Sequence, residues 1–309
     1  MIETTISDIK MKNPFMLASG VLGVTSSIMT RVANLGCGAI ITKSIGPEPK
    51  AGYANPTVVE LGDGSLINAM GLPNPGCEEF YKEIEEAKKR TKAPIIASIF
   101  GKTAEEFVTV AKTLAKGKLD GYELNISCPH GGQYGAIIGQ DPDLVKEITQ
   151  EVKKAVKKPL LVKISPNLTD LKIPAQAAID GGADALVVIN TVRAMAIDIK
   201  YKKPILANKS GGLSGPAVKP IAVKCIYDLY SAFGDKIPII GVGGVSKWED
   251  VVEFMLAGAS AVQVGTAVAY CKDPVEISIF KELAEGLEDY LVVENFKKAS
   301  NLIGLAHKD

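Results

Sequence analysis

One pattern recurs along the chain: a short apolar run, a turn of glycine or small polar residues, and then an amphipathic helix. The apolar runs that we interpret as strands are residues 15–18, 39–42, 94–99, 121–126, 160–164, 185–189, 237–242 and 261–264. Continuously apolar strands are typical of a parallel sheet buried on both faces. Eight such strand–helix units predict a (β/α)8 TIM barrel. A doubly wound open sheet is the alternative, but no GxGxxG follows the first strand.

Local signals mark where elements begin and end. The alternation of residues 5–12 predicts a β-hairpin before the barrel. Capping boxes are predicted at 103–106 and 246–249, and Asp141 followed by Pro142 indicates another helix start. The glycines at which we expect helices to end are Gly36, Gly181 and Gly258.

Composition limits the class of protein. The 309 residues carry no formal net charge, which gives no indication of a nucleic-acid or anionic membrane partner. The cysteines are Cys37, Cys77, Cys128, Cys225 and Cys271. Their odd number and spacing favour a reducing compartment over disulfides, zinc or an iron–sulfur cluster held by this chain alone. Because no apolar signal core lies near the start, we expect a cytoplasmic protein. We also expect one domain over residues 1–309 and no bound metal.

Two connections are longer than ordinary loops, residues 45–76 after the second strand and 193–216 after the sixth. Both leave the C-terminal ends of predicted strands, where barrels place their sites. We therefore expect them to form lids or a small subdomain over the barrel mouth.

The last two strands end in glycines. Gly243 and Gly244 follow the seventh strand, and Gly265 and Thr266 follow the eighth. Glycine at these two ends allows a phosphate to approach backbone N–H groups near a helix N-terminus. The sequence therefore predicts a phosphate site, without identifying the molecule that carries it.

Other strand ends carry polar side chains. Lys43 and Lys163 are costly to bury unless they are paired, so they suit an anionic group or a ring that gains negative charge. Asn125 and Asn190 can each donate and accept hydrogen bonds, which suits a flat heterocycle. Cys128, on a loop directly after the fourth strand, is the candidate base if a proton is transferred here.

Several stretches together resemble one known family. They are ASG at 18–20, TKS at 42–44, NAMGLPNPG at 68–76, ELNISCP at 123–129, VKISPN at 162–167, INT at 189–191, KPILANKSGGLSGPAVKP at 203–220, IPIIGVGG at 237–244 and QVGT at 263–266. In these the chain resembles the dihydroorotate dehydrogenases, FMN-dependent TIM barrels of pyrimidine synthesis, over nearly its whole length. The 203–220 block and the cysteine at 128 resemble the cytosolic two-subunit type, whose partner carries FAD and a 2Fe–2S cluster and passes electrons to NAD.

The resemblance implies roles for individual residues. Cys128 would remove the proton from carbon 5 of (S)-dihydroorotate, Lys43 would act between flavin and substrate, and Lys163 would stabilise the reduced flavin. The implied FMN ligands are Ser19, Gly20, Lys43, Ser44, Ser98, Asn125, Lys163, Ile189, Gly215, Gly243, Gly244, Gly265 and Thr266. The implied substrate ligands are Lys43, Asn68, Ala69, Met70, Gly71, Leu72, Asn125, Asn190 and Thr191. The implied assembly is a heterotetramer built around a catalytic homodimer.

Three residues depart from the family pattern. His130 and Ser98 stand where the family usually has asparagine, and Arg193 stands where an uncharged residue is usual. The CPHG run at 128–131 is similar to the dihydropyrimidine dehydrogenases, which act on uracil and thymine. The carboxylate-binding segment 68–74 favours dihydroorotate over that alternative.

Two alternatives from other classes stay open on the residues alone. Lys163 could form a Schiff base in an aldolase-type barrel. A barrel without turnover is the non-enzyme alternative, but it would leave buried lysines and asparagines without a ligand to offset their burial.

Overall fold

The computed structural model describes residues 1–126, 138–269 and 278–308. The strands are β1 (Thr4–Ile6), β2 (Ile9–Met11), β3 (Phe15–Leu17), β4 (Ala39–Ile41), β5 (Pro49–Lys50), β6 (Val58–Glu60), β7 (Leu66–Asn68), β8 (Asn74–Pro75), β9 (Ile95–Ile99), β10 (Gly121–Asn125), β11 (Leu160–Ile164), β12 (Ala185–Val188), β13 (Val192–Ala194), β14 (Ile197–Asp198), β15 (Lys203–Pro204), β16 (Gly211–Ser214), β17 (Ile239–Val242) and β18 (Ala259–Val264). The α-helices are α1 (Ser26–Asn34), α2 (Cys77–Arg90), α3 (Ala104–Leu114), α4 (Pro142–Ala155), α5 (Lys172–Asp180), α6 (Lys219–Phe233), α7 (Trp248–Leu256), α8 (Thr266–Ala269) and α9 (Ile279–Val293).

Eight parallel strands close into a barrel in chain order, which confirms the predicted TIM barrel. The order around the barrel is β3, β4, β9, β10, β11, β12, β17 and β18, with β18 pairing back to β3. Each predicted strand lies within two residues of an observed one at either end. The continuous apolar runs were informative because barrel strands are covered on both faces.

Alternation along each strand divides the core into two parts. Outward residues such as Leu124, Val162 and Val188 pack against the surrounding helices. Inward residues such as Met16, Leu161 and Val187 pack together inside the barrel. A side-chain period of two therefore decides which strand residues line the interior.

The predicted N-terminal hairpin is formed by β1 and β2. Its Ile6, Ile9 and Met11 are buried in the same cluster as the inward residues of the barrel strands. A Cβ at Gly121, the first residue of β10, would lie 3.0 Å from Cδ1 of Ile9. The hairpin therefore covers the end of the barrel where the strands begin.

The two long connections fold together, as predicted. β6 and β7 come from the first, β13 and β16 from the second, and they form one antiparallel sheet in the order β13, β16, β7, β6. The pairing of β16 with β7 sets Gly212 opposite Asn68. This sheet follows the C-terminal ends of β4 and β12, so it stands at the mouth of the barrel.

Most of the helix signals are confirmed. Thr103 caps α3 by accepting a hydrogen bond from the N–H of Glu106, and Asp141 caps α4 by accepting from Asp143 and Leu144. The glycines after α1 and α7 have positive φ, 108° at Gly36 and 122° at Gly258.

One detail of the predicted helix limits is wrong. The capping box at 246–249 is incorrect because α7 begins at Trp248, so the acceptor is Asp250, which receives the N–H groups of Ser246 and Lys247. The predicted end of α5 is confirmed, since the helix closes at Asp180 with Gly181 as its C-cap, and the left-handed residue that follows is Gly182, with φ 93°.

Among the helices of the described residues, none combines the length and the apolar character that crossing a bilayer requires. The single domain over residues 1–309 stays a prediction.

Candidate active site

The upper interior of the barrel is polar. Its inward side chains on β9, β10, β11 and β18 are Ser98, Glu123, Asn125, Lys163 and Gln263, all at most 7% exposed. Each occupies the alternating position that faces inward, like the apolar residues below them. Because the strands are parallel, these polar positions lie toward one end of the barrel.

A chain of hydrogen bonds links the ends of four barrel strands, β4, β9, β10 and β12. Ser98 and Ser44 share a bond of 2.9 Å between their hydroxyl oxygens. The amide of Asn125 donates to Ser44 Oγ at 3.0 Å, and the amide of Asn190 reaches Asn125 Oδ1 at 3.4 Å. The structure thus brings together four residues that the sequence assigned to one site.

The two lysines of the predicted site differ in burial. Lys163 is 5% exposed, and its Nζ lies 3.4 Å from Ser19 Oγ after β3. Lys43 is only half-buried and follows β4, where its backbone N–H donates to the carbonyl of Gly23 at 2.7 Å. Lys163 is therefore fixed inside the barrel, while Lys43 stands at its mouth.

Glycines crowd together at the ends of β16 and β17. Gly215 and Gly244 have φ of 97° and 82°, and a Cβ at residue 244 would lie 2.7 Å from the carbonyl oxygen of Gly215. Gly243 neighbours Ile189, and Gly265 neighbours Ala18. We call this close approach of backbones at Gly215, Gly243, Gly244 and Gly265 the glycine cradle, and its binding of a phosphate stays a prediction. Next to it, Thr266 Oγ1 shares a hydrogen bond of 2.9 Å with Ser214 Oγ.

An ion-paired cluster supports the cradle from behind. Lys219 Nζ lies 2.8 Å from Glu253 and 2.9 Å from Asp250, and these carboxylates together raise the pKa of Lys219. Burial alone would raise the pKa of Asp250, but hydrogen bonds from Lys219 and Ser246 outweigh it and hold that pKa below its usual value. A Cβ at Gly244 would lie 2.9 Å from Cβ of Lys219, so the cluster borders the cradle.

The predicted substrate segment borders the loop after β12. Asn68 donates from its amide to the carbonyl of Gly212 at 3.3 Å. A Cβ on Gly212 would lie only 2.1 Å from Thr191 Oγ1, so Thr191 packs directly on β16. The following residues turn sharply, with φ of 74° at Gly71 and 58° at Leu72. The structure therefore brings Asn68 and Thr191 to the same strand, β16.

Sequence reasoning missed three residues. Glu123 and Gln263 join Lys163 in one buried network, and Asn167 ties the end of β11 to the loop after β12. The Asn167 amide donates to the carbonyl of Thr191 at 3.0 Å, and its Oδ1 accepts from the N–H of Arg193 at 2.9 Å. The available signal for Glu123 was a carboxylate two residues before Asn125, on the same face of a buried strand.

Three further residues were singled out from the sequence, Cys128 as the candidate base and His130 and Arg193 as departures from the family pattern. Cys128 and His130 lie outside the described residues. Arg193 is exposed on β13, and its backbone N–H donates to Asn167 Oδ1 at 2.9 Å.

Comparison with known proteins matches this architecture to one family. The family model described as dihydroorotate dehydrogenase matches residues 1–291. Proteins called dihydroorotate dehydrogenase B (NAD(+)), catalytic subunit, are similar from end to end. The one from Methanocella arvoryzae is 53% identical over 307 residues, covering 99% of this chain and 98% of that protein. The one from Methanosarcina mazei is 52% identical over 305 residues, covering 98% and 95%. The one from Pyrococcus abyssi is 50% identical over 308 residues, covering 100% of both chains. The chain has a closed barrel with a polar, glycine-lined mouth and is similar to these proteins along its whole length. It therefore belongs to the dihydroorotate dehydrogenase family.

Proposed function

We propose that this chain is the FMN-dependent catalytic subunit that oxidises (S)-dihydroorotate to orotate in de novo pyrimidine biosynthesis. The observation that carries the proposal is that about half of the residues are identical to those of proteins named for that activity, over nearly their full length. A fold alone would not support it, because barrels host many chemistries.

The residues at the mouth fit FMN. The cradle at Gly215 and Gly244 leaves no room for a side chain, as a backbone that must approach a phosphate requires. The buried Lys163 and Asn125 place a cation and an amide where a flavin ring would bind. Burying such groups is costly, and a ring that accepts and donates hydrogen bonds would offset that cost. When bound, FMN would accept the hydride from carbon 6 of the substrate. The proposed FMN ligands are Ser19, Gly20, Lys43, Ser44, Ser98, Asn125, Lys163, Ile189, Gly215, Gly243, Gly244, Gly265 and Thr266.

The substrate side is proposed to lie under the sheet of the two long connections. The proposed ligands are Lys43, Asn68, Ala69, Met70, Gly71, Leu72, Asn125, Asn190 and Thr191. The hydrogen bond from Asn68 to Gly212 and the packing of Thr191 on Gly212 support this grouping. The turn at Gly71 offers backbone N–H groups to a carboxylate, and Lys43 adds a positive charge at the mouth.

Cys128 is proposed as the base that takes the proton from carbon 5. The residue lies outside the described residues, and the proposal rests on its position three residues after Asn125, which ends β10 at the mouth. A thiol whose pKa is lowered by nearby positive charge is suited to this task.

A partner subunit is part of the proposal. The relatives are called catalytic subunits of an NAD(+) enzyme, which supports a second subunit for electron transfer. We propose a partner with FAD and a 2Fe–2S cluster, in a heterotetramer around a catalytic homodimer, in the cytoplasm. The isolated FMN-loaded chain should then be reduced by dihydroorotate but should not itself reduce NAD. Rapid NAD reduction without a second subunit would contradict the partner.

Substrate choice gives the test of the proposed activity. Dihydroorotate and dihydrouracil differ by one carboxylate. A site that pairs with that group leaves donors unsatisfied when it is missing, which can discriminate by about 10⁴–10⁵-fold. We expect dihydroorotate to reduce the FMN far faster than dihydrouracil in anaerobic mixing followed by flavin absorbance. Equal rates would instead assign the chain to the uracil-reducing relatives.

A further inference from the structure

An ion pair lies inside the barrel below the mouth. Lys163 on β11 is 5% exposed and Glu123 on β10 is completely buried, and their Nζ and Oε1 atoms are 3.8 Å apart. Burying two charges is unfavourable unless further hydrogen bonds satisfy them. Glu123 is therefore the counter-ion of the buried lysine.

Gln263 on β18 connects the two charges. Its Oε1 accepts from Lys163 Nζ at 3.2 Å, and its Nε2 donates to Glu123 Oε2 at 2.6 Å. This orientation of the amide follows from chemistry, because an ammonium only donates and a carboxylate only accepts. Gln263 is 1% exposed, so all three side chains are held together away from solvent.

One oxygen of the carboxylate is left without a hydrogen bond. Within the residues that the structure describes, Glu123 Oε1 has no hydrogen-bond partner and faces the lysine amine. Packing alone gives no reason for a charged oxygen in this position, since an uncharged glutamine would fill the same space. Its negative charge is what distinguishes it from such an isostere.

Among the residues that the structure describes, the other groups in contact with the amine are neutral. Ser19 after β3 and Gln263 on β18 present uncharged oxygens, and Asn125 and Val187 are the strand neighbours of Lys163 on either side. Within the described ranges, Glu123 is the charged side chain that faces the amine. Lys43, after β4, is a second basic group toward the mouth.

We propose that Glu123 is a positioning residue that, through Gln263, fixes Lys163 and moderates its effect on the reduction of FMN. The inference rests on the proposed contact of Lys163 with the flavin ring. Reduction adds negative charge to the flavin, and a nearby cation favours it. The carboxylate behind the lysine offsets part of that effect.

The test replaces the carboxylate by its uncharged isostere, Glu123→Gln. The FMN-loaded protein is titrated anaerobically with dithionite against a reference dye at slightly acidic pH. The midpoint potential should move in the positive direction, by an amount equal to a roughly ten- to hundred-fold change in the reduction equilibrium. An unchanged or more negative midpoint would overturn the proposal. Glu60→Gln, on the exposed end of β6, is the matched control and should leave the midpoint unchanged.

A swap variant restores the charge. Glu123→Gln combined with Gln263→Glu moves the carboxylate to the neighbouring position on the same lysine. Its midpoint should return toward that of the wild type. If the single variant does not fold, this swap decides, because a midpoint far from the wild-type value would contradict a role carried by the charge.

Lys163→Gln separates this inference from the proposed function. A lowered midpoint in that variant, with no rise in Glu123→Gln, would reject the role of Glu123 and keep Lys163 at the flavin. No change in either variant would reject both placements.

Discussion

Gly244 is a residue whose backbone leaves no freedom for substitution. Its φ of 82° lies in the left-handed region, and a Cβ there would meet Gly215 O at 2.7 Å and Lys219 Cβ at 2.9 Å. A glycine with equally positive φ but open surroundings is Gly62, at 77° with no atom within 4 Å. The pair separates the cost of conformation from the cost of collision.

Gly244→Ala should therefore lose more than Gly62→Ala. Both should lose about 1–2 kcal/mol from the left-handed conformation, and Gly244→Ala roughly 1–3 kcal/mol more from the steric clash. We also expect FMN affinity to fall in Gly244→Ala only. Thermal unfolding and flavin fluorescence titration would measure the two effects. Equal FMN affinity in both variants would place the phosphate elsewhere.

The proposed base gives a second prediction at this scale. Cys128→Ala should keep FMN but slow its reduction by dihydroorotate by about 10²–10⁴-fold, the usual contribution of a general base. Cys128→Ser should retain a remnant with a shifted pH dependence, because the hydroxyl is a weaker acid. Stopped-flow flavin absorbance would follow both. Wild-type speed in the alanine variant would mean that another group takes the proton.

Among the elements, α7 depends on one buried carboxylate at its start. Asp250 is 2% exposed, accepts the N–H groups of Ser246 and Lys247, and pairs with Lys219 at 2.9 Å. These contacts join the start of α7 to the start of α6, the helix that follows the cradle. The folded pKa of Asp250 is lowered, so its ionised form stabilises the fold.

Asp250→Asn should consequently destabilise the protein in a pH-dependent way. At neutral pH we expect a loss of about 1–3 kcal/mol, the cost of a broken buried contact to a charged group. The contribution of Asp250 is present above its unfolded pKa of about 3.9 and disappears as pH falls through the lower folded value. Urea unfolding at neutral and acidic pH should show the gap between variant and wild type narrowing in acid. Glu249→Gln, at the exposed neighbouring position, is the control, and a gap independent of pH would contradict the assignment.

The sequence predicted the positions of the strands better than the contacts between distant side chains. The eight strands were readable because local hydrophobicity decides them, and the strand ends then followed from parallel topology. The contact of Glu123 with Gln263 joins residues 140 positions apart, which no local pattern encodes. The start of α7 was misplaced although its signals are local. Ser246 and Asp250 can both accept hydrogen bonds from nearby backbone N–H groups, and the backbone conformation decides which of them does.

At the scale of the whole molecule, the two ends of the barrel differ. One end carries the polar strand ends, the glycine cradle and the four-stranded sheet of the long connections. The other is filled by Ile6, Ile9 and Met11 of the hairpin. The family's chemistry at one end and the packing at the other are thus built on the same eight strands.

Closure of one end by the hairpin also determines the order in which substrate and product enter and leave. With the far end filled by the hairpin, a molecule that reacts at the mouth must enter and leave on that side. Orotate would have to leave this opening before the next dihydroorotate could bind, so product and substrate would compete for it. Electron transfer from the flavin does not require the opening to be empty, because no molecule has to pass through it.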